Sequence, residues 1–294
     1  MIRRHLLAAC ALVAAAAGAC AAPLAVQVPS LDRVQDAAGP LELPGIWFPA
    51  PAATPAPALL LMHGCGGIHD SRGRLAARYT ELAAWLNAQG VSALVTDSFT
   101  PRGERQICTE RIGTRHITQV QRRRDALGAL RWLAAQPGVD NARVGLLGWS
   151  NGGSTVLAAT NLKHAEVAAA AAAGLAPSLA VAFYPGCASE LKRGYAPSAA
   201  LLMLLGGADD WTPVAPCEAL AAQAEGSKAP PPQVEVYGGA YHDFDGSAPL
   251  RLRTDVPNGV HPGQGVHVGA DPAARAAARV RLERFLRERW RLAS

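Results

Sequence analysis

The chain has 294 residues, half of them hydrophobic, and a formal net charge of +5. This composition suits a packed globular protein and excludes a disordered or collagen-like chain. The arginines are spread along helical patterns such as Arg281 to Arg291 and form no single basic tract, so they read as solvated helix faces and exclude nucleic-acid binding.

The first residues have the form of an export signal: Arg3 and Arg4, an apolar stretch from Leu6 to Ala17, then small residues from Gly18 to Ala22. Cleavage after Ala19-Cys20-Ala21 makes 1–21 the signal peptide and 22–294 the mature protein, periplasmic or secreted. Ala17-Gly18-Ala19-Cys20 resembles a lipoprotein box that lacks the usual leucine or valine, so a weak lipid anchor at Cys20 is the alternative. Losing Arg3 and Arg4 lowers the formal charge to +3. No later segment reaches the about 18 uninterrupted apolar residues of a membrane span. The run from Ala165 to Ala182 is broken by Glu166, Gly174 and Pro177. The remaining length fits one domain with ample core.

Short apolar runs then alternate with helical patterns, which predicts an α/β fold with a mostly parallel, doubly wound sheet and helices on both faces. Leu41 to Phe48 predicts a strand. Ala58 to Met62 predicts a buried strand ending in His63-Gly64-Cys65-Gly66-Gly67. A helix follows from Arg72 to Gln89, a strand from Val91 to Thr96, a loop from Ser98 to Gly113, and a helix from Ile117 to Gln136. Val144 to Leu147 is the next strand, and Asn151 to Ala173 the next helix. Three more strands are expected at Val181 to Tyr184, Leu201 to Leu205 and Val234 to Tyr237, with helices at Pro213 to Ala224 and Pro272 to Trp290. In such sheets ligands bind outside the carboxyl ends of the strands.

Gly148-Trp149-Ser150-Asn151-Gly152 stands between a predicted strand and a predicted helix, the context of a nucleophile elbow. The alternative is a glycine-rich turn with an inert serine. A serine hydroxyl needs a base and the base an orienting group, and later strand ends carry both. Gly206-Gly207-Ala208-Asp209-Asp210-Trp211-Thr212-Pro213 follows one, and Gly238-Gly239-Ala240-Tyr241-His242-Asp243-Phe244 the next. The order serine, aspartate, histidine is that of α/β-hydrolases. Ser150 is the expected nucleophile, His242 the base and Asp209 its partner, with Asp210 pointing elsewhere. Either aspartate could instead cap the following helix. The expected oxyanion donors are the amides of Asn151 and Cys65, with glycines at 64, 66 and 67 allowing close backbone approach. Trp149, Gly64, Arg102 and Trp211 are candidates for contact with substrate, and His116 for the border of the site.

Cys65, Cys108, Cys187 and Cys217 remain after export, an even count that suggests two disulfides. Strand-end positions favour Cys65–Cys108 and Cys187–Cys217 among the three possible pairings, and buried free thiols are the alternative. The segment from Ser247 to Asp271 shows no strong helix or strand pattern and is expected as a loop walling the pocket beside His242. Its His261 and His267 have no recognisable metal-ligand spacing.

The segments HGCGG at 63–67, DSFTPRG at 97–103, GWSNGG at 148–153, YPGC at 184–187, GGADDWTP at 206–213 and YHDFD at 241–245 resemble the dienelactone hydrolase family of α/β-hydrolases, especially exported members with a serine nucleophile. The resemblance covers nearly the whole mature chain. It implies a Ser/Cys-His-Asp triad, no metal or organic cofactor, and a small-molecule lactone or carboxylic ester as substrate. Two departures stand out. Ser150 replaces the family's cysteine, and Gly64 stands at its accompanying glutamate. Gly246 stands where family members carry a substrate-binding arginine four residues after the histidine, which makes dienelactone itself a doubtful substrate. The competing readings are an exopeptidase of the prolyl oligopeptidase type and a non-catalytic envelope binding protein. Against the first stands the lack of a recognisable acidic pair for a peptide amino terminus; against the second, the joint presence of Ser150, Asp209 and His242.

Overall fold

The computed structural model describes residues 22–33, 39–51, 55–224 and 229–292. The expected signal peptide, its cleavage site and Cys20 lie outside the described residues.

Eight strands form one sheet: β1 (Leu24–Arg33), β2 (Pro40–Phe48), β3 (Ala56–Met62), β4 (Ser92–Thr96), β5 (Val139–Trp149), β6 (Leu179–Phe183), β7 (Ala200–Gly206) and β8 (Gln233–Tyr237). Their order is β1-β2-β4-β3-β5-β6-β7-β8. The pairings of β1 with β2 and of β2 with β4 are antiparallel, and the rest are parallel. The helices are α1 (Ala77–Asn87), α2 (Gln119–Ala134), α3 (Asn151–Thr160), α4 (Ala165–Ala172), α5 (Ala188–Arg193), α6 (Ala215–Gln223) and α7 (Pro272–Trp290). This is the α/β-hydrolase fold.

The central strands are apolar without alternation because both sheet faces are covered; β3 and β7 are buried at every position. Leu60, Met62, Leu146 and Met203 share one core with Leu130 of α2 and Leu157 of α3. Leu59, Leu61, Leu147 and Leu202 share the other with Leu86 of α1 and Phe285 of α7. The helix starts are encoded locally. Thr118 and Gln121 form a reciprocal capping box at α2, and Asp271 accepts from the amides of Ala273 and Ala274 at α7, where Pro272 is the first helical residue.

The structure adds helix α5, starts β5 at Val139, and departs from the sequence expectation at four further places. Strand β1, exposed at alternate positions from Gln27 on and interrupted by Pro29, offers no long apolar run; it lies across α2 at Gly128, where a Cβ would come 2.2 Å from the Pro29 carbonyl oxygen. Helix α1 starts at Ala77, since the Asp70 carboxylate accepts from the amides of Arg72 and Arg74 and folds that stretch into a turn. The helix expected over 151–173 is two helices. Buried Asn161 breaks it, accepting from the amides of Lys163 and Ala196 and donating to Glu190 and the Gly194 carbonyl. The 247–271 segment contains a small hairpin, β9 (Arg251–Arg253) with β10 (Val266–Val268). Three-residue strands are too short to leave a period-2 signature.

Both disulfides, Cys65–Cys108 and Cys187–Cys217, are formed. No helix among the described residues is long and apolar enough to cross a membrane. A methyl group at position 128 must displace the β1 backbone. Gly128→Ala should therefore lower stability by about 1–3 kcal/mol in urea denaturation; an unchanged midpoint would mean that β1 is not packed on α2 in this way.

Candidate active site

Strand β5 enters α3 through Ser150, which has φ 53° and ψ −117°. A non-glycine residue in that conformation costs on the order of 1–3 kcal/mol, so the surroundings must impose it. They do so by close backbone contact. A Cβ on Gly148 would lie 2.3 Å from the Gly152 carbonyl oxygen, and one on Gly152 would lie 2.0 Å from that of Met62. The Ser150 amide donates to the Phe183 carbonyl at 2.9 Å, which ties the turn to the end of β6.

His242 follows β8, and its Nδ1 lies 2.7 Å from Asp209 Oδ2. The imidazole ring sits between Tyr184 and Trp211, with centroids 4.6 and 4.7 Å away. With Nδ1–H donated to Asp209, Nε2 is the basic nitrogen. It is buried and has no hydrogen-bond partner among the described residues. Tyr184 directly follows the Phe183 that holds the Ser150 amide, so the serine turn and the histidine loop meet at the end of β6. Asp209 Oδ1 accepts from the amides of Trp211 and Thr212, and Oδ2 also accepts from Thr212 Oγ1 at 3.0 Å. Burial opposes ionisation of this carboxyl, but the His242 charge and these hydrogen bonds outweigh it and hold its pKa below the usual range.

Asp210 faces away from this pair and accepts from the His267 ring and amide at 2.7 and 2.8 Å. That contact docks the hairpin, while the Gly269 amide donates to the His242 carbonyl at 2.9 Å. Asn258 then links the hairpin segment to the loop after β4, donating to Glu110 O and accepting from the Ile112 amide. Trp211 packs against both walls, touching the cluster around Cys65 and Phe99 and the cluster of Val256, Val266 and Val268.

The loop after β3 lies against the elbow; a Cβ on Gly64 would be 3.7 Å from Ser150 Cβ. His63 fixes this loop, donating from Nδ1 to Gly64 O at 2.8 Å and accepting at Nε2 from the Ser98 amide at 3.1 Å. Burial and the nearby Arg122 charge push its pKa well below normal, which keeps the accepting lone pair. The Cys65–Cys108 bond and the Ile107 amide, which donates to Cys65 O, hold the next residue. Asn151 is gripped from α2 and α3: its Oδ1 accepts from Arg122, and its carbonyl accepts from Gln119 and Thr155.

Two of the residues expected to meet substrate are placed elsewhere. Arg102 donates to Ser98 O, Asp125 and Asp32, and is consumed in joining the β4 loop to α2 and β1. The Trp149 indole points into the α1–α7 layer, stacked on Phe183, with Nε1 donating to Asp245 at 2.8 Å. His116 is exposed, 3.6 Å from Glu104.

The sequence reading missed Thr212, Tyr184, Arg78 and Asp245. Asp245 accepts two bonds from Arg78, one from Tyr184 Oη at 2.5 Å and one from Trp149 Nε1. Arg78 also pairs with Asp243, which has φ 65°. The turn carrying His242 is thus clamped to α1, to β6 and to the residue before Ser150. The YHDFD spacing was the available signal for the aspartates; Arg78, one arginine on a helix, gave none. The same clamp fills the space at Gly246, where a Cβ would come 2.7 Å from Asp243 Oδ2. A cavity of about 230 Å³ lies behind Trp149, lined by residues including Arg78, Asp245, Arg275 and Arg279, and Ser150, His242 and Asp209 are not part of its wall.

Fold and site together define an α/β-hydrolase. The family model of the dienelactone hydrolase family matches residues 46–288, and the chain belongs to that family. It is a hydrolase of the carboxylic ester type. Solved structures with this fold include a dienelactone hydrolase-like promiscuous phosphotriesterase from metagenomic libraries, with 21% identity, TM-score 0.60, and coverage of 92% of this chain and 99% of that one. Esterase 2 of Thermogutta terrifontis, phosphorylated by paraoxon, has 18% identity, TM-score 0.59, and coverage of 92% and 96%. Dipeptidyl peptidase 4 of Porphyromonas gingivalis has 17% identity and TM-score 0.56, with 91% of this chain matching 35% of the peptidase. No curated protein matches the sequence.

Two outcomes follow from the site's electrostatics. Asp245→Ala leaves Arg78 with Asp243 as its one carboxylate partner among the described residues and should cost about 3 kcal/mol in urea denaturation; a loss below about 1 kcal/mol would contradict the clamp. Asp209 titrates lower in the folded protein than when unfolded, so its contribution is complete above about pH 5 and is lost as pH falls through the folded pKa. Asp209→Asn should therefore flatten the stability–pH curve below about pH 4, and parallel curves for the two proteins would contradict this.

Proposed function

We propose that the protein is an exported serine hydrolase that cleaves a carboxylic ester or lactone through an acyl-enzyme, with Ser150 as nucleophile, His242 as base and Asp209 as the group that orients it. What supports this reading is a strained, backbone-enforced Ser150 after β5, and a His242 whose ring packs on Tyr184, the residue after the one that holds the Ser150 amide, with its Nδ1 on a buried carboxylate and its Nε2 without a partner among the described residues. Ser150 Oγ attacks the carbonyl carbon and its proton passes to His242 Nε2, while the carbonyl π pair moves to oxygen. The amides of Asn151 and Cys65 receive that oxyanion. When it collapses, the C–O bond to the alcohol breaks and Nε2 returns the proton to the leaving oxygen. Water repeats the sequence on the acyl-enzyme, releases the acid and restores Ser150. In a lactone the alcohol and acid stay in one product. Gly64 and Trp211 border the reacting atoms, and the two walls joined by Asn258 shape the substrate space. Two disulfides support function in an oxidising compartment.

The phosphorylation of the Thermogutta esterase by paraoxon makes an organophosphorus probe the natural test. A fluorophosphonate should label the mature protein at Ser150 alone, and Ser150→Ala should abolish labelling and lower ester turnover by at least about 10⁴-fold. Folded wild-type protein that is not labelled, or is labelled at another residue, would sink this mechanism.

A further inference from the structure

Behind Asn151 lies a buried charge that the hydrolytic scheme does not use. Arg122, near the start of α2, is wholly buried. Its Nη1 donates to Asn151 Oδ1 at 2.5 Å, and its guanidinium lies 5.2 Å over the Phe99 ring. Nε and Nη2 are buried with no hydrogen-bond partner among the described residues. A buried guanidinium ordinarily has a carboxylate partner. The neighbouring carboxylates are engaged elsewhere: Asp125 accepts from Arg102 and Ser30, and Asp97 from the amides of Phe99 and Thr100 and from the Thr100 hydroxyl. Burial pulls the Arg122 pKa down to about 10, which leaves it charged at neutral pH.

A desolvated cation with no hydrogen-bonded anion in the resting protein stabilises an anion formed during the reaction, because its position and orientation are already fixed. Arg122 has no exposed surface and cannot touch substrate. Its route to the chemistry is through Asn151, whose amide is an oxyanion donor in the proposed mechanism, and through its field. We infer that Arg122 is a positioning residue for ester cleavage: it fixes Asn151 and sets a positive charge with no directly bonded anion behind the oxyanion donors, favouring the tetrahedral intermediate over the bound ester. This inference rests on the acyl-enzyme reading.

The test compares wild type, Arg122→Met, Arg122→Gln and Arg122→Lys in the mature protein. Turnover of a neutral 4-nitrophenyl ester gives kcat and KM, and a boronic acid, which forms an anionic tetrahedral adduct on serine, reports affinity for the intermediate. Arg122→Met and Arg122→Gln should lower kcat by about 30- to 100-fold and weaken boronic acid binding by a similar factor. KM should stay within about threefold, and Arg122→Lys should recover at least about tenfold of the lost kcat. A purely structural role would move neither the kcat-against-KM split nor the rescue by lysine in this way. Equal losses in the lysine and glutamine variants, a rise in KM in place of the fall in kcat, or wild-type kcat in either uncharged variant would overturn the inference; the glutamine variant decides if the methionine variant does not fold. Wild-type protein that neither turns over the ester nor is labelled by the fluorophosphonate would fail the acyl-enzyme reading itself, and with it this inference.

Discussion

At Ser150 three pieces of backbone meet where no side chain fits. The elbow crosses itself between Gly148 and Gly152, and Gly152 presses on the Met62 carbonyl at the end of β3. This contact sets the position of everything else. It forces Ser150 into positive φ, lays the 63–67 loop against the serine, and starts α3 so that the Asn151 amide opens the helix. The strain is local, and the fully buried strands on either side, which carry most of the apolar core, hold it in place.

The remaining site is assembled from loops, and each loop is tied by a bond that costs little flexibility once formed. A disulfide and His63 fix the loop after β3. The Asp209 carboxylate accepts from the turn that follows it as well as from His242, so it is itself held in place. The Arg78–Asp245 clamp holds the histidine turn against the elbow, and the hairpin docked on Asp210 covers its outer side. Rigid neighbours keep the His242 Nε2 buried and without a partner among the described residues, because a mobile loop would let the imidazole rotate or hydrate. The same clamp occupies the space at Gly246.

Much of this was legible in the sequence. Buried parallel strands announce themselves as apolar runs, and the glycine pattern around Ser150, the two histidine- and aspartate-bearing strand ends and the cysteine positions all carry local signals. What escaped depends on tertiary contact. Strand β1 is amphipathic and relies on β2 and α2. The break at Asn161 arises from a side chain recruited by Glu190 and Ala196. Trp149 and Arg102 were misplaced because a residue's neighbourhood along the chain does not say which sheet face it takes or which carboxylate claims it. Nothing local in the sequence singles out Arg78 or Arg122, and only the packing shows Arg122 to be buried and Arg78 half-buried.

The central claim is that an activated Ser150 carries the acyl group between two half-reactions. Rapid mixing of the mature protein with an excess of a 4-nitrophenyl ester tests it most directly, with the quenched protein digested and weighed by mass spectrometry. The account predicts a burst of nitrophenol approaching one equivalent per chain, followed by slower turnover, with the acyl mass on the peptide containing Ser150. Linear release with no covalent adduct, or an adduct on another residue, would contradict it.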